Sequence, residues 1–257
     1  MNYYDDNAEQ YYKNTINFDP KDLCLMFIEG ARLFLNKEIH DIRVLDLGCG
    51  SARDSFYLSG EGFGVTGIDL SFKLLSHAVS AGVRPCRAVD SVPAAGMDAG
   101  SAARIEGLTR LGGANAMSSG GDPRTLRPLC PPVFLCADFL KLPFKNDSFD
   151  AVFAQASLLH VPKKNISAVI NEVKRVMRPG GLIYFSAKEG SGESLDEKGR
   201  FFAYYDREEL GSEFSNNGFE VVDFKRKASR DGLGNAAVWL MYLALKPSDN
   251  SGKRAES

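Results

Sequence analysis

A short apolar run ending in Gly-Cys-Gly restricts the fold of this 257-residue chain more than any other feature. Residues 43–47 (Arg-Val-Leu-Asp-Leu) have the character of a buried strand, and Gly48-Cys49-Gly50 ends that strand in a tight turn. Residues 55–61 predict a helix after the turn, and residues 64–68 a second strand that leads into Asp69. Strands joined through a helix run parallel, and a parallel sheet needs helices over both faces. A glycine-rich turn at this place lets backbone approach a ligand closely. Asp69 follows Gly50 by 19 residues, the spacing at which a carboxylate on the next strand end can accept both hydroxyls of a ribose. Together they predict a nucleoside-containing cofactor at the C-terminal edge of a parallel sheet.

The charges around the turn narrow the cofactor. A dinucleotide turn calls for a third glycine close to the pyrophosphate. Arg53 stands at that place, and Asp46 precedes the turn. A carboxylate there repels a pyrophosphate but can hold an ammonium. S-adenosylmethionine carries an ammonium, a carboxylate and a ribose and no phosphate, so it fits these charges better than a dinucleotide does. Asp46 is expected to meet the ammonium, and Arg53 the carboxylate, with an ion pair to Asp54 as its alternative role. Cys49 is expected to matter through its backbone.

The helix–strand rhythm holds on both sides of one interruption. Leu23, Met26, Phe27, Ala31 and Phe34 recur at helical spacing behind Asp19-Pro20, and a helix is predicted from residue 72 to 79. Residues 81–132 then lack Phe, Tyr, Trp and Lys and carry six arginines. Such a stretch cannot bury much apolar surface. It is expected to be a flexible surface insertion, with a lid or specificity insert as the alternative. Strands are predicted at residues 133–136, leading to Asp138, and at 149–155. A helix follows at 165–177, stopped by Arg178-Pro179-Gly180-Gly181, then a strand at 182–187. A helix over residues 206–217 carries a capping box of Asp206 and Glu209. Strands at 219–224 and 238–245 can pair as a hairpin, and residues 247–257 form a disordered tail. The reading is a single domain over residues 1–246, interrupted by residues 81–132.

Bulk properties exclude several classes. The net charge is −2, so no overall field draws the chain to nucleic acid or anionic lipid, although a local basic patch is not excluded. The five cysteines are odd in number and show no C-x-x-C spacing, which argues against a disulfide framework or a zinc site. The first ten residues are polar and acidic, unlike a signal peptide. No membrane span, no metal and a cytoplasmic location are expected, with the oligomeric state open.

The chain resembles the class I S-adenosylmethionine-dependent methyltransferases. Their first motif is matched by Val44-Leu45-Asp46-Leu47-Gly48-Cys49-Gly50 and their second by Val65-Thr66-Gly67-Ile68-Asp69-Leu70-Ser71. Phe149-Asp150-Ala151-Val152 and Leu182-Ile183-Tyr184-Phe185 match later motifs. The resemblance implies a Rossmann-like α/β fold with seven strands, mostly parallel, helices on both faces and an antiparallel last strand. It implies that Asp138 contacts the adenine amino group with Phe139 beside the ring, and places Leu70 at the cofactor. Gln155, at the end of the fourth strand, would lie beside the methionyl part. A narrower resemblance to bacterial small-molecule methyltransferases of the tellurite-resistance type rests on Gly50-Ser51-Ala52-Arg53-Asp54-Ser55, Ser157-Leu158-Leu159-His160-Val161-Pro162 and Gly199-Arg200-Phe201-Phe202. That group usually has glycine where Ala52 stands, a swap that strains a turn needing positive φ. Its N-terminal helix covers the cofactor, which assigns Tyr4, Tyr12, Arg200 and Phe201 to the substrate side. Arsenite as acceptor is disfavoured, because Ser55 follows Asp54 and residues 154–159 hold no cysteine. His160 is the candidate base or substrate-orienting residue, with a hydrogen-bonded loop histidine as the bland alternative. The expected function is methyl transfer to a small molecule. A noncatalytic cofactor-binding protein, a tRNA or protein methyltransferase and a nicotinamide-dependent dehydrogenase are the competing readings.

Overall fold

The computed structural model of the chain describes residues 3–80, 131–230 and 235–248. The expected insertion and tail therefore lie almost wholly outside the described residues. Two short helices, α1 (Tyr3–Asp6) and α2 (Ala8–Thr15), precede the amphipathic α3 (Lys21–Phe34). The α/β core follows: β1 (Arg43–Leu47), α4 (Arg53–Gly60), β2 (Gly64–Asp69), α5 (Phe72–Ser80), β3 (Val133–Cys136), β4 (Phe149–Ala154) and α6 (Lys163–Val176). The chain ends in β5 (Met177–Lys188), β6 (Glu193–Leu195), β7 (Phe201–Ala203), α7 (Arg207–Asn216), β8 (Glu220–Arg230) and β9 (Ala236–Leu245).

Seven strands form one sheet in the order β3-β2-β1-β4-β5-β9-β8, and β6 and β7 make a separate two-stranded ribbon. The β1–β2, β1–β4, β2–β3 and β4–β5 pairs are parallel. Strand β9 is antiparallel to both its neighbours. Side chains alternate between the faces, as the two-residue period of a strand requires. Leu45, Leu47, Val152 and Ala154 join one apolar layer with α6 and α7. Val44, Ala151 and Phe153 join the other with Phe27, Ile28 and Ala31 of α3 and Leu58 of α4. The strand order reverses between β1 and β4, so their C-terminal ends open a crevice, the usual ligand position in an open α/β sheet.

One element boundary and one helix cap differ from expectation for local reasons. Helix α6 stops at Val176 and strand β5 begins at once, so Arg178-Pro179-Gly180-Gly181 lies inside the strand. Proline forces the preceding residue out of helical backbone, and Met177 pairs with Phe149 across an irregular register. Asp206 caps α7 by accepting from the Glu209 amide at 2.8 Å. The Glu209 carboxylate, however, turns to Lys163 at 2.5 Å rather than closing the box. At the far end of the sheet, buried Asp150 binds Lys37 and Arg178, each at 2.6 Å, and the Arg43 amide at 2.9 Å. This cluster ties the chain before β1 to the start of β5, away from the crevice.

Candidate cofactor and acceptor site

A cavity of about 370 Å³ occupies the crevice, within the range of small-molecule sites. The glycine turn forms its floor. Gly48 has φ +81° and Gly50 φ +54°. A Cβ at Gly48 would lie 2.5 Å from Ser157 Cβ and 3.1 Å from Phe139 Cζ, so only glycine lets the three loops meet. Four of the turn's amides are engaged within the protein. Gly48 and Cys49 N–H donate to the Ile68 carbonyl at 2.8 and 2.9 Å, and Ala52 N–H donates to Cys49 at 2.8 Å. Gly50 N–H donates to Asp69 at 2.9 Å. These four amides are not open to a phosphate.

Ala52, also within the turn, has φ +62°. That left-handed backbone strains any residue with a Cβ, by about 1 kcal/mol. Ala52→Gly is therefore expected to raise unfolding stability by about 1 kcal/mol, measured by urea denaturation; an unchanged or lower stability would argue against the strain.

Asp69, Leu70, Asp138 and Phe139 line the cavity. Asp69 Oδ2 accepts from Gly50 N–H and Oδ1 from Ser71 N–H, each at 2.9 Å. The Leu70 amide is also close to this carboxylate. Asp138 Oδ1 accepts from Leu140 N–H at 2.9 Å. Tyr4, His160, Arg200 and Phe201 line it as well. Tyr4 Oη is 2.8 Å from His160 Nε2, and His160 Nδ1 is 2.7 Å from the Phe201 carbonyl. Burial depresses the imidazole's pKa to about 4. The Arg200 guanidinium pairs with Asp196 at 2.6 Å and lies 5.7 Å from the Tyr3 ring. Helix α1 is pinned across the cavity by Asp5, which accepts from Ser71 Oγ at 2.7 Å.

Four side chains assigned to the site from sequence are placed elsewhere, and that of Cys49, whose expected role lies in its backbone, packs away from the cavity too. Arg53 forms a two-pronged ion pair with Asp54, at 2.7 and 2.9 Å, rather than facing the cavity. Tyr12 stacks on His77 of α5. The wall position falls instead to Tyr11, because adjacent helical residues point about 100° apart. The Cys49 side chain packs with Ala52, Leu75, Ala78 and Phe134. Gln155 accepts from Tyr184 Oη at 2.6 Å and Ser186 Oγ at 3.0 Å. Ala156 has φ +52° and swings the chain, so that Ser157 rather than Gln155 meets the glycine turn. The buried Ser157 Oγ has no hydrogen-bond partner, and Ser157 lines the cavity. Sequence reasoning missed it because strand periodicity carries no sign of the left-handed residue.

Asp46 also stays behind the cavity wall. It is 3% exposed and accepts from Ser55 Oγ at 2.5 Å. Burial, reinforced by Asp54, pushes its carboxyl up to about 8. An acid raised in the native state keeps its proton where the unfolded chain has lost it. Stability therefore falls as pH rises from about 4 to 8 and levels off above. Asp46→Asn removes this penalty. Its melting temperature is expected to exceed the parent's by more at pH 8.5 than at pH 5; an equal difference at both would show that Asp46 is ionised throughout.

Comparison with known proteins agrees with this geometry. The family described as "Tellurite resistance protein TehB" matches residues 9–99, and the family described as "Methyltransferase domain" matches residues 114–185. Sterol 24-C-methyltransferase ERG6B of Gibberella zeae is 43% identical over 49 residues, 19% of this chain. The chain spans only 12% of that relative's length. Among solved structures, an S-adenosylmethionine-dependent methyltransferase from Methanosarcina mazei superposes with a TM-score of 0.60 at 23% identity, covering 85% of this chain and 97% of the other. The [4+2]-cyclase SpnF superposes at 0.56 with 19% identity, over 87% and 80% of the two chains. At these identities the structural likeness is one of fold. Among the described residues no helix is long and apolar enough to cross a membrane, and no cluster of metal-ligating side chains occurs. The two partial family matches and the seven-stranded sheet with its glycine turn agree with a resemblance to the class I S-adenosylmethionine-dependent methyltransferases, the tellurite-resistance type among them.

Proposed function

We propose that this chain transfers the methyl group of S-adenosylmethionine directly to a small-molecule acceptor. One observation carries the reading: a single cavity gathers two chemically different sets of side chains. Asp69 and Asp138, with Leu70 and Phe139, suit a nucleoside, whereas Tyr4, His160, Arg200 and Phe201 make a largely aromatic set suited to an acceptor. Asp69 would hold the ribose hydroxyls and Asp138 the adenine amino group, with Phe139 and Leu70 against the ring. Ser157 and the glycine turn would border the methionyl part. When bound, S-adenosylmethionine supplies a methyl group already activated by its sulfonium, so the protein need not create an electrophile. The protein's tasks are then alignment and exclusion of water. Helices α1 and α2 support the second, because their Tyr4 and Tyr11 line the cavity.

A small acceptor is favoured by the cavity's size and by the chain's charge of −2, which offers no general attraction for tRNA. The likeness to a [4+2]-cyclase favours a second reading, in which the fold and cofactor serve something other than methyl transfer. A screen with methyl-labelled S-adenosylmethionine over metabolites, oxyanions, tRNA and peptides separates these readings. Label in a small molecule supports the proposal. Label confined to tRNA or peptide, or none despite cofactor binding, refutes it.

A further inference from the structure

Arg200 stands where two cavities meet. Besides the cavity at the glycine turn there is a second, of about 500 Å³, lined by the end of β5, the ribbon of β6 and β7, the end of β8 and the start of β9. Phe202, Tyr204, Ala228, Ala237 and Val238 give it apolar surface. Among the described residues, Arg200 alone lines both cavities. The two residues after it divide between them: Phe201 lines the first and Phe202 the second, as the two-residue period of a strand requires. The guanidinium is placed accordingly. It lies 5.7 Å from the ring of Tyr3, which lines the first cavity, and 5.0 Å from the ring of Phe202.

This partition is held from the side of the second cavity. Asp196, which lines that cavity, accepts from the Arg200 backbone N–H and Nε at 2.8 Å each and from Nη2 at 2.6 Å. The turn between β6 and β7 is closed by the same two residues, since Asp196 N–H donates to the Arg200 carbonyl at 2.9 Å. Gly199 N–H adds a bond to the Asp196 carbonyl at 2.9 Å. Arg200 is only 8% exposed, and a carboxylate already meets its charge. The side chain therefore acts through the space it fills.

We propose that Arg200 is a specificity-determining residue: it ends the acceptor's space and limits the acceptor to molecules short enough to lie wholly within the first cavity. The inference rests on the methyl-transfer reading above and deepens it. A short acceptor leaves the guanidinium where it is. A longer tail can only enter the second cavity by pushing the guanidinium away from Asp196, and parting a buried ion pair is costly. Long acceptors are thus rejected by an obstacle rather than by weak attraction. A shorter side chain at position 200 removes the obstacle and opens the first cavity to the apolar surface of the second.

The test compares the full chain with its Arg200→Ala and Arg200→Met variants. Calorimetry with S-adenosylhomocysteine comes first, because it needs no acceptor. Absence of binding by the parent protein would overturn the methyltransferase reading and this inference with it. Given binding, labelled methyl transfer is measured to the para-methyl and para-hexyl members of thiophenol, aniline and phenol. The parent should prefer the para-methyl members by about tenfold or more in kcat/KM. Arg200→Ala should bring the two lengths within about threefold, by gaining on the long members. Arg200→Met, long but uncharged, should keep the parent's preference, which a role for the charge would not allow. Should Arg200→Ala not fold, Arg200→Thr takes its place, being short and suited to the start of a strand. If no probe is methylated, calorimetric titration of the S-adenosylhomocysteine complex with the same probes reads the same preference. Equal use or binding of both lengths by the parent would overturn the inference alone, as would an unchanged preference in the short variant. The same loss of preference in Arg200→Met, or neither turnover nor binding of any probe, would also overturn it.

Discussion

Replacing Asp69 by alanine is expected to weaken S-adenosylhomocysteine binding by about 100-fold or more, corresponding to about 2.7 kcal/mol. The magnitude follows from the position of the carboxylate. Its oxygens accept from the Gly50 and Ser71 amides, with the Leu70 amide also close, and the residue lines the cavity. A hydrogen bond to a charged acceptor contributes about 1.5–3 kcal/mol, and a ribose presents two hydroxyls. Alanine loses those bonds and also frees the Gly50 amide that fixes the turn, so ligand contact and loop geometry fail together. Asp69→Asn separates the two effects. Its amide oxygen can still accept from one side, and its loss is expected to be near tenfold. Calorimetric titration of both variants, with their melting curves, measures this. Parent-like affinity in Asp69→Ala would remove the ribose assignment.

Gly48→Ala should cost about 2–4 kcal/mol of folding stability. Two terms add: a left-handed backbone at φ +81°, worth about 1 kcal/mol for alanine, and a Cβ placed 2.5 Å from Ser157 Cβ, an overlap of the kind that costs about 1–3 kcal/mol. Gly180 supplies the control. Its φ is +75°, but a Cβ there meets nothing within 4 Å, so Gly180→Ala should show the backbone term alone. Adding Ser157→Gly to Gly48→Ala should recover part of the difference. Urea denaturation of the set checks this. Equal losses at the two glycines would contradict the close approach of the β1 and β4 loops, and with it the shape of the cavity floor.

The sheet was legible because its strands are apolar runs of the right length between glycines and capping residues. Residues 43–47 and 133–136 match β1 and β3 residue for residue, since a buried strand has to be apolar on both faces. The pairing of the last two strands was legible for a similar reason. The ribbon of β6 and β7 was not: Glu193, Ser194 and Leu195 are exposed, and no apolar alternation marks them.

At the site, the main-chain framework could be read and the side-chain directions could not. Gly48, Gly50, Asp69, Asp138 and Phe139 reach the cavity because each sits at a strand end, a place that spacing predicts. Arg53 and Gln155 also sit near strand ends, yet partners a few residues or one strand away capture them: Asp54 for the first, Tyr184 and Ser186 for the second. Such local hydrogen-bond competition leaves no periodic trace. The pairing of Tyr4 with His160 spans 156 residues and depends on how α1 crosses the sheet edge. No motif spacing encodes it.

The central claim, that the cavity is built for S-adenosylmethionine, is tested most directly by calorimetric titration of the full chain with S-adenosylmethionine and, separately, with NAD. The account predicts saturable one-site binding of S-adenosylmethionine and no measurable heat with NAD, because four of the turn's amides are already bonded within the protein and two carboxylates, Asp69 and Asp138, line the cavity a pyrophosphate would enter. Saturable binding of NAD with none of S-adenosylmethionine would contradict it.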